Sequence, residues 1–188
     1  MNKHFTRFLC AALLINGTAL AGNLLVNGDF SQPLDSGWTV SSTGDNGIAS
    51  IAAVDEPYGF VTQTMKGRVS MYQVIPIEDL NAELSFSGRF HAEATKEGSG
   101  SLAKVAVVYC DADTETLGKT VFGRATGTAE LVSDKTQHSI AAKADKKWAD
   151  YRLNISKELS TNLAGIDASK VRFLRIGLIV DNGELAGC

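Results

Sequence analysis

Residues 84–93 constrain this chain more than any other stretch. Leu84, Phe86, Gly88, Phe90 and Ala92 alternate with Ser85, Ser87, Arg89, His91 and Glu93. Successive side chains of a β-strand point to opposite faces, so this two-residue period predicts a strand half in a core and half in water. Such a strand needs partners in its own sheet and a second apolar layer against its buried face. Apolar, β-branched and aromatic runs at 48–54, 60–65, 70–77, 120–123, 137–142, 149–155 and 171–181 supply them. The run 103–110 is more uniformly apolar and is predicted to lie centrally.

Turn chemistry separates these runs at 43–47, 96–100 and 111–118, where Gly, Asp and Asn accumulate. Runs of this length and spacing predict an all-β, antiparallel β-sandwich in a single domain. Helix is expected only as short turns at 76–80 and 160–166. Ser156, Lys157, Glu158 and Leu159 do not extend into an apolar stripe of helical period.

The first 21 residues read as a secretory leader of bacterial type, to be set apart from the fold. Lys3, His4 and Arg7 precede an apolar run at 8–15, and Ala19-Leu20-Ala21 has the form of a cleavage site. The run is short for a membrane span, which needs roughly 20 apolar residues. A retained anchor is disfavoured on that ground, and a lipoprotein by the lack of small residues before Cys10. The domain is therefore expected to span 22–188, secreted or periplasmic, with no membrane span. Loss of Lys3 and Arg7 takes the basic residues from 18 to 16 against 21 acidic ones, a net charge of −5. Bulk charge of that sign does not attract nucleic acid or anionic lipid.

Cys110 and Cys188 then remain, and an even pair in an oxidising compartment predicts one disulfide. It would close the loop from Cys110 to Cys188, which in the chain-entropy model contributes roughly 4 kcal/mol. A reactive thiol and a metal site are the alternatives, but no C-x-x-C or neighbouring His accompanies either cysteine.

The opening run Asn23-Leu24-Leu25-Val26-Asn27-Gly28-Asp29-Phe30, followed by Gly37-Trp38, reads as a short strand, a turn tolerant of positive φ, and an aromatic returning to the core. It resembles the opening of bacterial carbohydrate-binding modules of families 4, 9 and 22, which have a galactose-binding-like jelly roll. Tyr109-Cys110-Asp111-Ala112-Asp113 with Leu117-Gly118, Trp148-Ala149-Asp150-Tyr151, and the strand at 171–178 are similar to later parts of that pattern. The resemblance implies a jelly roll, glycan binding without catalysis, and a structural calcium. Two departures bear on the calcium. Ser31 stands where an acidic residue often follows the opening Asp-Phe, and Leu185-Ala186-Gly187-Cys188 replaces a strand with paired aspartates. Asp29 and Asp181 remain as candidate ligands, against the six to eight oxygens calcium takes. The expectation is accordingly no cofactor.

Catalysis finds no support in the residues. After the leader the only histidines are His91 and His138, without H-E-x-x-H, G-x-S-x-G or a phosphate-cradling glycine loop. A glycosidase pair would need carboxyls about 5–9 Å apart in a cleft, but the acidic residues crowd turns and strand ends. Sugar recognition needs an exposed aromatic face beside planar donors and acceptors. Arg89, His91, Tyr72, Tyr58, Trp148 and Asn154 are the candidates. Each has an ordinary alternative: Arg89 and His91 as a solvated sheet face, Trp148 as core packing. Trp38 reads as core. Arg172 and Arg175 face opposite ways on an ideal strand, so only one can join a site. A glycan or polysaccharide is the expected partner, and a protein partner on the same scaffold is the alternative.

Overall fold

The computed structural model describes residues 10–14, 24–52, 57–93 and 99–183. Among them are eleven strands in two sheets. The five-stranded sheet has the order β10 (Ala149–Asn154), β6 (Glu83–His91), β1 (Cys10–Leu14), β4 (Tyr58–Gln63) and β3 (Gly47–Ala52). The six-stranded sheet runs β2 (Thr39–Gly44), β5 (Gly67–Pro76), β11 (Phe173–Asn182), β7 (Gly100–Cys110), β8 (Thr116–Gly127) and β9 (Gln137–Ala141). All pairings are antiparallel except β8 with β9, which is parallel. The fold is an all-β sandwich.

Alternation decides which face of each strand is buried. On β6, Phe86, Gly88 and Phe90 are buried while Ser85, Ser87, Arg89 and His91 stand half-exposed on the other side. Tyr151 of β10 stacks on Phe86 at 5.1 Å and meets Phe90 and Phe122 edge-on at 5.7 and 5.4 Å. These four rings tie β6, β10 and β8 together across the two layers. Val61, Met71, Tyr109, Leu174 and Leu178 continue the same core.

The opening motif behaves differently from its reading as a strand. Residues 24–29 form turns, and positive φ falls on Asn27 and Phe30 rather than on Gly28. Gln73 of β5 supplies what a neighbouring strand would: its Oε1 accepts from Val26 N at 3.0 Å and its Nε2 donates to Val26 O at 2.6 Å. Asn27 then bonds the backbone of Gln32 and Pro33, and Trp38 donates its indole N–H to Asn27 O at 3.1 Å. Trp38 is buried and stacks on Phe30 at 5.1 Å, as core packing predicts.

Two further expectations are corrected. Residues 39–44 form a strand, β2, where the sequence predicts no strand and a turn only from Thr43. Its side chains are exposed throughout, so no alternation marked it. An α-helix, α1, covers Ile155–Thr161 where no helical stripe was found. It is too short to show a period, and Asn154 makes it possible by accepting from Lys157 N at 2.9 Å. The helix buries Glu158, whose carboxylate meets His138 Nδ1 at 2.6 Å and accepts from Thr120 at 2.8 Å and Asn162 at 2.7 Å. Cys110 is buried as a free thiol, held above its ordinary pKa chiefly by desolvation. Cys188, its expected partner, lies outside the described residues.

Strand β1 falls within the stretch read as a leader, yet it is the middle strand of its sheet. It pairs antiparallel with both neighbours, Ala12 opposite Phe60 on β4 and Arg89 on β6. Strands β4 and β6 therefore run parallel, one strand width apart, and a short extended segment satisfies both rows of backbone groups. No helix among the described residues is long and apolar enough to cross a membrane.

Two outcomes follow from this packing. Glu158→Ala should cost about 1–3 kcal/mol in urea unfolding, because it removes the buried acceptor shared by Thr120, His138 and Asn162 and leaves Thr120 only Tyr109 as a partner. A chain begun at Gly22 should show faster amide exchange than the full chain in β4 and in β6 near Arg89. Equal protection in the two chains would mean that another segment closes the gap.

Candidate functional site

The outer face of the six-stranded sheet carries a groove of about 480 Å³. Backbone register builds it in transverse rows. Tyr72 on β5 lies opposite Gly177 on β11, which lies opposite Ala106 on β7. Neither Gly177 nor Ala106 has bulk, so the floor beside the half-buried Tyr72 ring stays open. A Cβ at Gly177 would come within 2.8 Å of both Met71 O and Tyr72 Cβ. Val108 and Ile179 complete an apolar floor. Two residues along in one direction are Ser70 and Lys104, both facing Ile179. In the other direction Arg175 and Lys119 both face Val108.

Cations dominate the walls: Arg68, Lys104, Lys119 and Arg175. Asp181 answers two of them, at 3.8 Å from Arg68 and 3.9 Å from Lys104. Among the described residues no ion pair involves Lys119 or Arg175; Arg175 donates instead to Thr116 Oγ1 at 3.0 Å. Ser41, Thr43, Ser70 and Thr116 add hydroxyls along the groove. Burial pulls the pKa of Lys104 down from 10.5 to about 8, with Asp181 opposing and the like charges of Arg68 and Lys119 adding to the fall. The ammonium is held in the sheet face at a cost.

A second cluster lies on the outer face of the five-stranded sheet. The Arg89 guanidinium sits 5.8 Å from the Tyr58 ring and 5.3 Å from the Trp148 ring, and the two rings meet edge-on at 5.3 Å. Trp148 is 41 % exposed. Three of the residues singled out in the sequence thus converge. Arg89 reaches Tyr58 across β1, so the cluster depends on a strand being present between β4 and β6. His91 shares this face but is taken up by Asp145 at 3.0 Å and Glu93 at 3.6 Å. Burial works against the Asp145 charge, but the His91 hydrogen bond and Arg124 outweigh it and hold its pKa below the ordinary value.

The other candidates lie elsewhere. Tyr72 is on the opposite sheet, in the groove. Asn154 caps α1. Asp29 accepts from Ser31 within its own turn, at 3.2 Å from N and 3.0 Å from Oγ. Asp181 faces cations. Among the described residues no group of three or more His, Cys, Asp or Glu could hold a metal ion. Of the two arginines, Arg175 faces the groove, while Arg172 bonds the carbonyls of Ser169 and Val171. Sequence reading missed Arg68, Lys104 and Lys119. Each sits at an alternate position of its strand, but only the register shows that they face one another. No protein-family model matches the chain, and no curated protein matches it.

Lys104 gives this site a signature in stability. Between pH 8 and 10.5 the unfolded chain keeps a proton that the folded chain has released, so the Lys104 contribution to stability rises with pH. Below that window both states hold the proton and the fold bears the full burial cost. Lys104→Met should raise the melting temperature at pH 7, by about 1–3 kcal/mol in stability. The gain should shrink toward pH 10, as measured by calorimetry across the pH series.

Proposed function

We propose that this chain is an exported, non-catalytic binding module of the galactose-binding-like jelly-roll type, and that it holds a glycan in the groove over the six-stranded sheet. The observation that carries the reading is the row Tyr72–Gly177–Ala106, an aromatic face beside a floor without side-chain bulk. A pyranose presents an apolar C–H face to such a ring, and its hydroxyls meet the flanking Ser, Thr, Lys and Arg groups. The groove rests on strands paired along both edges, so a sugar would meet a site already formed. The opening motif and the Trp148-led strand support the same reading by their resemblance to carbohydrate-binding modules.

A protein partner is the second reading, favoured by the Tyr58–Arg89–Trp148 cluster. Trp, Tyr and Arg are the residue types that dominate protein–protein hot spots, and these three form a patch rather than a cleft.

Affinity electrophoresis against a panel of soluble polysaccharides separates the two. Tyr72→Ala should lower retention by roughly tenfold while leaving the unfolding midpoint near its original value. Trp148→Ala should leave retention intact, and so should EDTA. Loss on Trp148→Ala with Tyr72→Ala silent would move the glycan site to the opposite sheet. No retention by any glycan would favour the protein partner.

A further inference from the structure

Resting on the glycan reading, we infer that the groove selects an acidic polysaccharide, a chain of carboxylate-bearing sugars, over neutral ones. The charge balance argues first. The chain carries a net −3, yet this one face gathers Arg68, Lys104, Lys119 and Arg175, with Asp181 their one ion-pair partner among the described residues and Asp134 acting on Lys119 from further off. Lys119 and Arg175 make no ion pair among the described residues, and they flank the same residue, Val108. A planar carboxylate fits the fork of a guanidinium, with an ammonium beside it as a point charge.

Spacing argues for a polymer. Arg68 is six residues along the strand from the position facing Arg175, roughly 20 Å at strand rise. Tyr72 lies between these two cationic ends. One small anion cannot engage both, whereas an extended chain of charged sugars can cross the aromatic and place a carboxylate at each. The hydroxyls of Ser41 and Ser70 share a transverse row with Lys104, and Thr116 sits against Arg175, so hydroxyl and cation stand together at both ends and suit a ligand carrying both hydroxyls and charge.

The burial cost at Lys104 points the same way. A side chain 14 % exposed and held near two other cations weakens the fold, and groups kept at such a cost cluster at functional sites. An incoming carboxylate gives this ammonium, which Asp181 shares with Arg68, a second counter-charge.

The test uses the full chain and calorimetric titration with polygalacturonate, alginate, methyl-esterified polygalacturonate and dextran sulfate. The ester keeps the sugar backbone and removes the charge. Tenfold or tighter binding of at least one of the two acids over the ester is expected. Lys119→Ala with Arg175→Gln should abolish that preference, and Arg89→Ala should leave it unchanged. Equal binding of acid and ester would overturn the selection for charge while keeping a glycan in the groove. Dextran sulfate bound as tightly as either acid would reduce the groove to a general polyanion surface and overturn the carboxylate assignment. Silence toward both acids, with neutral glycans still bound through Tyr72, would end this inference and spare the broader reading. Silence toward every glycan would end both.

Discussion

The ten residues of β11 are paired on both edges, to β5 and to β7, and much of the sandwich depends on that double ladder. A strand held on both sides has no freedom to slip, because a shift of one residue would exchange its two faces. Leu174, Ile176, Leu178 and Val180 are therefore locked into the core. By the same alternation Arg175, Gly177 and Ile179 are locked onto the outside. The core and the groove are two faces of one register, and neither can move without the other.

The opposite sheet is organised less tightly. Its middle position is filled by β1, a five-residue segment that belongs to an apolar run near the start of the chain. The ladders there are half as long as those of β11, and the Tyr58–Arg89 contact reaches over them. A ligand site on this face would depend on whichever strand occupies that gap. The groove is built on strands of the other sheet whose ladders pair with one another, and for that reason the functional reading rests on it.

Electrostatics separates the groove from the rest of the surface. An acidic chain keeps four cations together on one sheet and partly buries one of them, against both desolvation and mutual repulsion. Elsewhere the half-buried charges meet opposite ones. His91 and Arg124 share Asp145, and His138 meets the buried Glu158. Those pairs hold the structure together, while in the groove Lys119 and Arg175 have no ion-pair partner among the described residues.

Much of the fold was legible in the residues. The alternation from Leu84 to His91, the apolar run of β7 and the turn residues between segments were enough to predict a two-layer β-sandwich and most strand positions, since burial imposes a two-residue period wherever one face meets the core. Trp38 is legible as core on a different ground, its place in the opening motif and the tendency of large aromatics to be buried. Where burial leaves no pattern, the sequence was silent: β2 has no buried face, and α1 is too short to show a period. The site was legible only in part. Tyr58, Arg89 and Trp148 were recognisable as residue types but not as one cluster, and Tyr72 was grouped with residues of the wrong sheet. Lys104, Lys119 and Arg68 are unremarkable lysines and arginines along the chain. They become a site only when β5, β11, β7 and β8 set them side by side, because strand order and register are properties of non-local pairing. The sequence by itself determined which face of each alternating strand is buried, because burial writes a period into the chain; the tertiary structure decided which exposed side chains meet, because that depends on strand order and register.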